Sequence, residues 1–198
     1  MAIWLLVGVV VAFVVYVVAT YNGLIRLTQQ TKEAWADIDV QLKRRYDLIP
    51  NLIETVKGYA AHERETFDAV VAARAAATQV HVDPSNITPE QIQAMAGAES
   101  ALGGALGKLL AIAEAYPDLK ANQNFGQLQT ELSDTENKIQ AARRFYNANV
   151  RDLAIKLQSF PSNLIGNMFK FKEEQYFDLE DNSEEREVVD VSFDSKKV

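Results

Sequence analysis

AWADIDVQLKRRYDLIPNLIETVKGYAAHE, residues 34–63, is the stretch on which the fold turns. Apolar side chains recur at Trp35, Ile38, Leu42, Tyr46, Ile49, Ile53, Val56 and Ala60, steps of three and four that put them on one face of an α-helix. Toward the N-terminus the stripe continues through Leu24, Leu27 and Thr31. Toward the C-terminus it reaches Phe67 and Val70, with one slot falling at polar Glu63. Pro50 stands in its middle. An interior proline removes a backbone hydrogen bond and clashes with the carbonyl one turn back, at about 3 kcal/mol. Asp47 can cap a new helix that holds Pro50 in its first turn, where the missing N–H costs little. That division gives helices over about 22–45, 48–79, 89–115 and 118–158, and it is preferred. The alternative is one kinked helix of about 57 residues, about 85 Å long, which exceeds the usual length in a globular domain.

Beyond this stretch, His81-Val-Asp-Pro-Ser-Asn-Ile-Thr-Pro89 breaks the period with two prolines. Thr88, Pro89 and Gln91 form a helix-start signature, with a capping side chain, a proline at the first helical position and a glutamine three residues after the cap. That helix stops near Tyr116-Pro117, and Asp118 can cap the next. The last long stripe is Leu128, Leu132, Thr135, Ile139, Ala142, Tyr146, Asn149, Leu153 and Leu157, ended by Phe160-Pro161-Ser162-Asn163.

In the other direction, residues 2–21 read AIWLLVGVVVAFVVYVVATY, without a charged side chain. About 20 apolar residues at about 1.5 Å each cross a hydrocarbon core of about 30 Å, and Trp4 and Tyr21 suit the two interfaces. A cleaved signal peptide fits poorly, because no Lys or Arg precedes the run and the run is long. Arg26, Lys32, Lys43, Arg44 and Arg45 follow it, which places the N-terminus outside and the C-terminal part in the cytoplasm, anchored in the cell membrane. The expected fold class is therefore all-α: an N-terminal transmembrane helix followed by an antiparallel, up-and-down four-helix bundle. The expected organisation is an anchor over 1–21, a bundle over 22–172 and an acidic tail over 173–198. The tail holds ten acidic and three basic side chains, which accounts for the whole net charge of −7.

Tyr21-Asn-Gly-Leu-Ile-Arg26, the run from Ala34 to Glu63 quoted above, Leu128-Gln-Thr-Glu-Leu-Ser-Asp-Thr-Glu136, Ala142-Arg-Arg-Phe-Tyr-Asn147 and Phe160-Pro161-Ser162-Asn163 closely resemble the LemA family. The resemblance runs from the anchor to about Tyr176. It implies a bacterial single-pass membrane protein with an antiparallel helical bundle, and it carries no catalytic residues onto this chain.

Composition narrows the chemistry further. Cys is absent and there are two His, so a thiolate zinc site, a cysteine nucleophile and a disulfide framework are excluded. The negative charge argues against nucleic acid as a partner. His62-Glu63-Arg64-Glu65 lacks the second His of a metalloprotease helix, since Thr66 stands there. The run Leu102 to Leu109 fails a phosphate loop at both of those ends. Gly97, Gly103, Gly104 and Gly107 are expected instead to let a neighbouring backbone come close. Asp37, Asp39, Glu54, Glu131 and Glu136 lack the Glu-x-x-His pairs of a di-metal bundle. Lys43, Arg44 and Arg45 lie about 33 Å of helix beyond Tyr21, several Debye lengths away, and are expected to pair with Asp39 and Asp47.

No catalytic, cofactor or metal residue is therefore assigned. The one candidate site is the apolar segment after the last long helix, Phe160, Leu164, Ile165, Met168, Phe169, Lys170, Phe171 and Lys172, either as a cap on the bundle or as a membrane-interface or partner segment. In a four-helix bundle this segment returns to the bilayer. With one fewer reversal it would end far away. The expected function is a membrane-anchored interaction scaffold that contacts lipid through residues 2–21, self-associates and binds unidentified protein partners. The alternatives are a membrane-shaping coat and a hydrolase with an unrecognised site.

Overall fold

The computed structural model describes residues 1–177. The helices are α1 (Ala2–Lys57), α2 (Arg64–Gln79), α3 (Pro89–Glu114), α4 (Pro117–Lys120), α5 (Gln123–Gln158) and α6 (Ser162–Met168). No strand occurs among the described residues. Helix α1 is one rod of 56 residues, about 84 Å long. Its first part carries an 18-residue window of mean hydropathy 2.9, long and apolar enough to cross a bilayer. Its second part is the spine of the bundle.

The four long elements run up, down, up and down. Helix α2 folds back on α1, bringing Phe67 to Lys57 and Arg74 to Tyr46. Helix α3 turns outward again and sets Glu99 beside Tyr46. Helix α5 returns along α1 in the most extensive pairing of the fold, with Asn122 at Tyr59, Glu136 at Arg45 and Tyr146 at Trp35. Leu24, Trp35, Ile38, Leu42, Ile49, Leu52 and Val56 from α1 are buried in this seam, as are Ile139, Tyr146, Val150 and Leu153 from α5.

The expected break at Asp47–Pro50 is absent, and α1 passes through Pro50 unbroken. The reason is local. A proline at position 50 leaves the carbonyl of Tyr46 without its N–H partner, and Arg74 of α2 supplies the missing bond, Nε donating to that carbonyl at 2.8 Å. The true reversal lies at residues 58–63, where the apolar stripe misses its slot at Glu63. The expected choice between a break at Pro50 and a helix running on to residue 79 was therefore incomplete, because α1 is continuous through Pro50 and still reverses before α2.

Two other expectations are corrected. Helix α3 starts as read, with Thr88 Oγ1 accepting from the Gln91 N–H and the Gln91 side chain returning the bond. Asp118 does not cap the last long helix, however. It lies in short α4, and Asn122 caps α5 by accepting from the Asn124 and Phe125 N–H groups. A Cβ placed on Gly97, Gly103, Gly104 or Gly107 would meet nothing within 4 Å, so no backbone approaches α3 there. The glycines border open space.

If Arg74 is what makes Pro50 tolerable, the two positions must be coupled. Arg74→Met alone leaves a partly buried carbonyl unpaired and is expected to lower unfolding stability by about 1–3 kcal/mol. Combined with Pro50→Ala, which restores the helical N–H, the loss should shrink by about 1 kcal/mol. Denaturant unfolding of all four forms of the cycle measures it, and strictly additive effects would disprove the substitution of one bond for the other.

Candidate functional site

Helix α6 follows α5 after Ser159–Pro161, a turn in which Ser162 Oγ donates to the carbonyls of Lys156 and Ser159. Gly166 sets its distance to the rest of the fold. A Cβ there would stand 2.8 Å from Leu157 Cδ2 and 3.9 Å from Leu24 Cδ1, so the glycine lets two leucine side chains, rather than a neighbouring backbone, come close. Ile165 is buried, whereas Phe160, Leu164, Met168 and Phe169 are exposed. Leu164, Ile165 and Met168 line an apolar groove of about 350 Å³ whose other wall is Phe13, Val14, Tyr16, Val17 and Val18 of α1. The rings of Phe169 and Phe171 pack on Tyr21, at centroid distances of 4.8 and 5.7 Å. Lys170 and Lys172 are exposed. Leu164, Ile165 and Met168 against residues 13–18 and Phe169 and Phe171 against Tyr21 thus form a collar at the foot of the bundle, with Phe160 in the turn before it and Lys170 and Lys172 at its exposed end.

The collar ends in an unusual residue. The Phe171 N–H bonds to the Gly166 carbonyl and the Lys170 N–H to the Asn167 carbonyl, the two bonds of a Schellman stop. The residue at its left-handed position is normally glycine. Here it is Lys170, at φ 58°, in a conformation that costs a non-glycine residue about 1–2 kcal/mol.

From Phe171 the chain runs as a strap up the α1–α5 seam. The Tyr146 hydroxyl donates to the Gln175 carbonyl at 2.7 Å. Asn147 holds Phe177 from both sides, its amide donating to the Phe177 carbonyl and its oxygen accepting from the Phe177 N–H. The Phe177 ring is buried, edge-on to Trp35 at 5.4 Å and under the Arg143 guanidinium at 4.9 Å. Glu173 to Phe177 are not the start of the separate acidic tail expected from their charge. They are instead tied to the bundle, and residues 178–198 of that tail lie outside the described residues.

A second cluster sits at mid-height. Arg45, buried, pairs with buried Glu99 of α3 and donates to Glu136 of α5 at 2.7 Å. The Tyr46 hydroxyl donates to Glu99. Burial lifts the Tyr46 phenol above its ordinary value, with Arg45 acting against the rise and Asp39 adding to it. The expected Arg45 pairing with Asp39 and Asp47 is corrected, since the guanidinium reaches across to other helices. Glu99 is engaged by Arg45 and Tyr46, and Glu136 by Arg45, so the cluster ties α1, α3 and α5 together. Glu99 was missed in the sequence, although it stands in the apolar stripe Ile92, Met95, Ala96, Leu102 and Leu106, where a carboxylate signals a buried partner. Among the described residues no group of three or more His, Asp or Glu is placed to hold a metal ion.

These features define a membrane-associated, all-helical protein with its bundle continuous with a long apolar helix. The family model described as LemA family matches residues 34–193, and the chain belongs to that family. It is similar to magnetosome protein MamQ 2 of Paramagnetospirillum magneticum, 26% identical over 185 residues, covering 85% of this chain and 68% of the relative. Magnetosome protein MamQ of Magnetospirillum gryphiswaldense is 24% identical over 184 residues, 84% and 68% of the two chains. Protein LemA of Metamycoplasma hominis is 28% identical over 144 residues, 73% and 62% of the two.

The strap should respond to pH through Glu174. Burial raises its carboxyl above the ordinary 4.5, with Lys32 and Lys172 pulling the other way. Folding therefore favours the protonated form. That contribution is fully present below the unfolded value and is lost as pH rises through the raised folded value. Glu174→Gln is expected to leave stability unchanged near about pH 4 and to raise it near about pH 7. Unfolding followed at both pH values checks the sign, and a loss of stability at the higher pH would contradict it.

Proposed function

We propose that this protein is a membrane-anchored interaction scaffold whose α6 collar rests in the bilayer interface. A single span over residues 2–21 holds it in the cell membrane, with the N-terminus outside and the bundle in the cytoplasm. The observation that carries the reading is the position of α6. Its exposed Leu164 and Met168 lie against residues 13–18 of α1, and Phe13 is about 12 Å of helix below Tyr21. With Tyr21 at the interface, α6 reaches the depth at which interfacial helices lie. Lys170 and Lys172 then stand where anionic head groups are. The strain at Lys170 supports this. A glycine would serve the turn better, so a cation at that point is in keeping with a contact to negatively charged head groups.

Self-association belongs to the same proposal. Phe145 and Ile155 on α5 and Val40 on α1 each expose more than half their surface, and such residues are available to a second bundle. The second reading, a membrane-shaping coat, draws on the same collar, because a shallow apolar wedge displaces lipid in one leaflet. It also draws on the relatives named as magnetosome proteins. Deformation of liposomes by the full-length chain distinguishes it from a scaffold, and native size in gentle detergent tests self-association.

A fluorescent label at Asn167→Cys in full-length protein is expected to be strongly quenched by interfacial lipid quenchers, and more strongly in anionic bilayers than in neutral ones. Lys170→Gly should raise folding stability by about 1 kcal/mol while reducing the anionic preference of the label by about fivefold. A folded sample without quenching removes the interfacial reading. Digestion of the bundle by protease added outside spheroplasts removes the orientation.

A further inference from the structure

The groove between α3 and α5 ends at Arg45, Glu99 and Glu136, charges that the bundle uses to dock its own helices. The groove between α6 and α1 is different in kind. Its walls include Phe13, Val14 and Val17 on one side and Leu164, Ile165 and Met168 on the other, with about 350 Å³ between them, a volume at the small end of ligand pockets. No charged side chain lines it. Leu164 and Met168 remain more than half exposed, and a concave apolar wall without atoms against it forfeits dispersion contacts.

We infer that this groove seats one acyl chain of an anionic glycerophospholipid whose head group lies on Lys170 and Lys172, a site that rests on the interfacial placement of α6. Depth decides the chemistry of the occupant. Val14 to Val18 lie about 5 to 11 Å of helix below Tyr21. With Tyr21 at the interface, that is inside the hydrocarbon layer, where the surrounding solvent is lipid tails. Direction gives the same answer. Val14, Val17 and Val18 stand seven, four and three positions before Tyr21, so all share its face of α1. Phe169 and Phe171 pack on Tyr21, directly above the groove. Lys170 lies between them in sequence and Lys172 follows, both exposed. One lipid therefore meets both parts of the collar, its head at the cations and a tail in the groove below.

A second copy's span fits less well. Helices close-pack in lipid at pairs of small residues four apart. On α1 such a pair is Gly8 and Ala12, which stand nearly opposite Val17 round the helix. The charges beside Lys172 are not all positive. Glu174 faces Lys32 and Lys172, and Glu173 accepts from Gln158 Nε2 at 3.1 Å. Both carboxylates are thereby drawn toward the bundle, and Lys170, two residues after Met168, carries the greater part of the head-group contact.

The test uses full-length protein in mixed bilayers of phosphatidylcholine and brominated-chain phosphatidylglycerol. In a Trp4→Phe background, a reporter is placed by Met168→Trp or by Val15→Trp. Val15 is exposed, lies at the depth of the groove and faces away from it, so it samples ordinary surrounding lipid. Trp35 is buried and about 21 Å of helix beyond Tyr21, and gives a constant background. Quenching at the Met168→Trp reporter is expected to show an association about fivefold stronger for the anionic lipid than for phosphatidylcholine, and quenching at Val15→Trp close to none. Lys170→Gly should bring the preference at Met168→Trp down toward that at Val15→Trp. Equal preference at the two reporters would mean surrounding lipid only, which overturns the lipid seat and leaves α6 in the interface. A preference unchanged by Lys170→Gly would take the head group off the collar and overturn the seat as stated. Quenching at Val15→Trp without quenching at Met168→Trp would overturn it too. With the Asn167→Cys label still quenched, that result means protein fills the groove, and a dimer by native size would identify a second copy. With the label unquenched, the interfacial placement itself fails.

Discussion

Two adjacent residues of α1 tie the bundle together. The Tyr46 carbonyl receives Arg74 of α2, the Tyr46 hydroxyl holds Glu99 of α3, and the Arg45 guanidinium pairs with Glu99 and with Glu136 of α5. Every long helix is thus referenced to one turn of α1. Hydrophobic burial drives the helices together, but it is non-directional. A stripe of leucines can slide by a turn at small cost. A buried guanidinium between two carboxylates cannot, because displacing either partner leaves a desolvated charge. The turn that carries this cluster is also the turn that Pro50 would weaken, and Arg74 repairs the helix at the point where the other helices dock.

The repair explains what could be read from the sequence and what could not. Local signals gave their answer directly. The Thr88–Gln91 capping box opens α3, and the stripe from Leu132 to Leu153 is the buried face of α5. Pro50 misled because its cost was judged against an isolated helix, whereas the bond that offsets it comes from position 74. The missed slot at Glu63 marked the real turn more faithfully than the proline did. Glycine misled for a related reason. A small residue permits close approach without requiring it, so only the partner's position separates Gly166, wedged on Leu157, from Gly103 and Gly107, which border an open groove. The collar residues were recognisable as a group by their surplus of apolar surface. Glu99 was recognisable in principle as a charge in an apolar stripe. The inclusion of Phe177 in the core was not, because its partners Trp35 and Asn147 lie far away in sequence.

The position of the collar follows from helix lengths. Asn122, which caps α5, bonds to Tyr59. Helix α5 then has 36 residues, about 54 Å. On α1, Leu24 lies 35 positions before Tyr59, about 53 Å. The two helices are therefore matched, and α5 ends beside Leu24, where the apolar part of α1 begins. Helix α6 lands on that boundary because α5 has the length to reach it. The continuity of α1 matters for the same reason. A flexible joint at Pro50 or at Tyr21 would let the bundle tilt and lift the collar away. An unbroken rod from Ala2 to Lys57 instead fixes the height of every element against the apolar segment, so that the groove between α3 and α5 stands at the outer end of the bundle and the collar at the inner one.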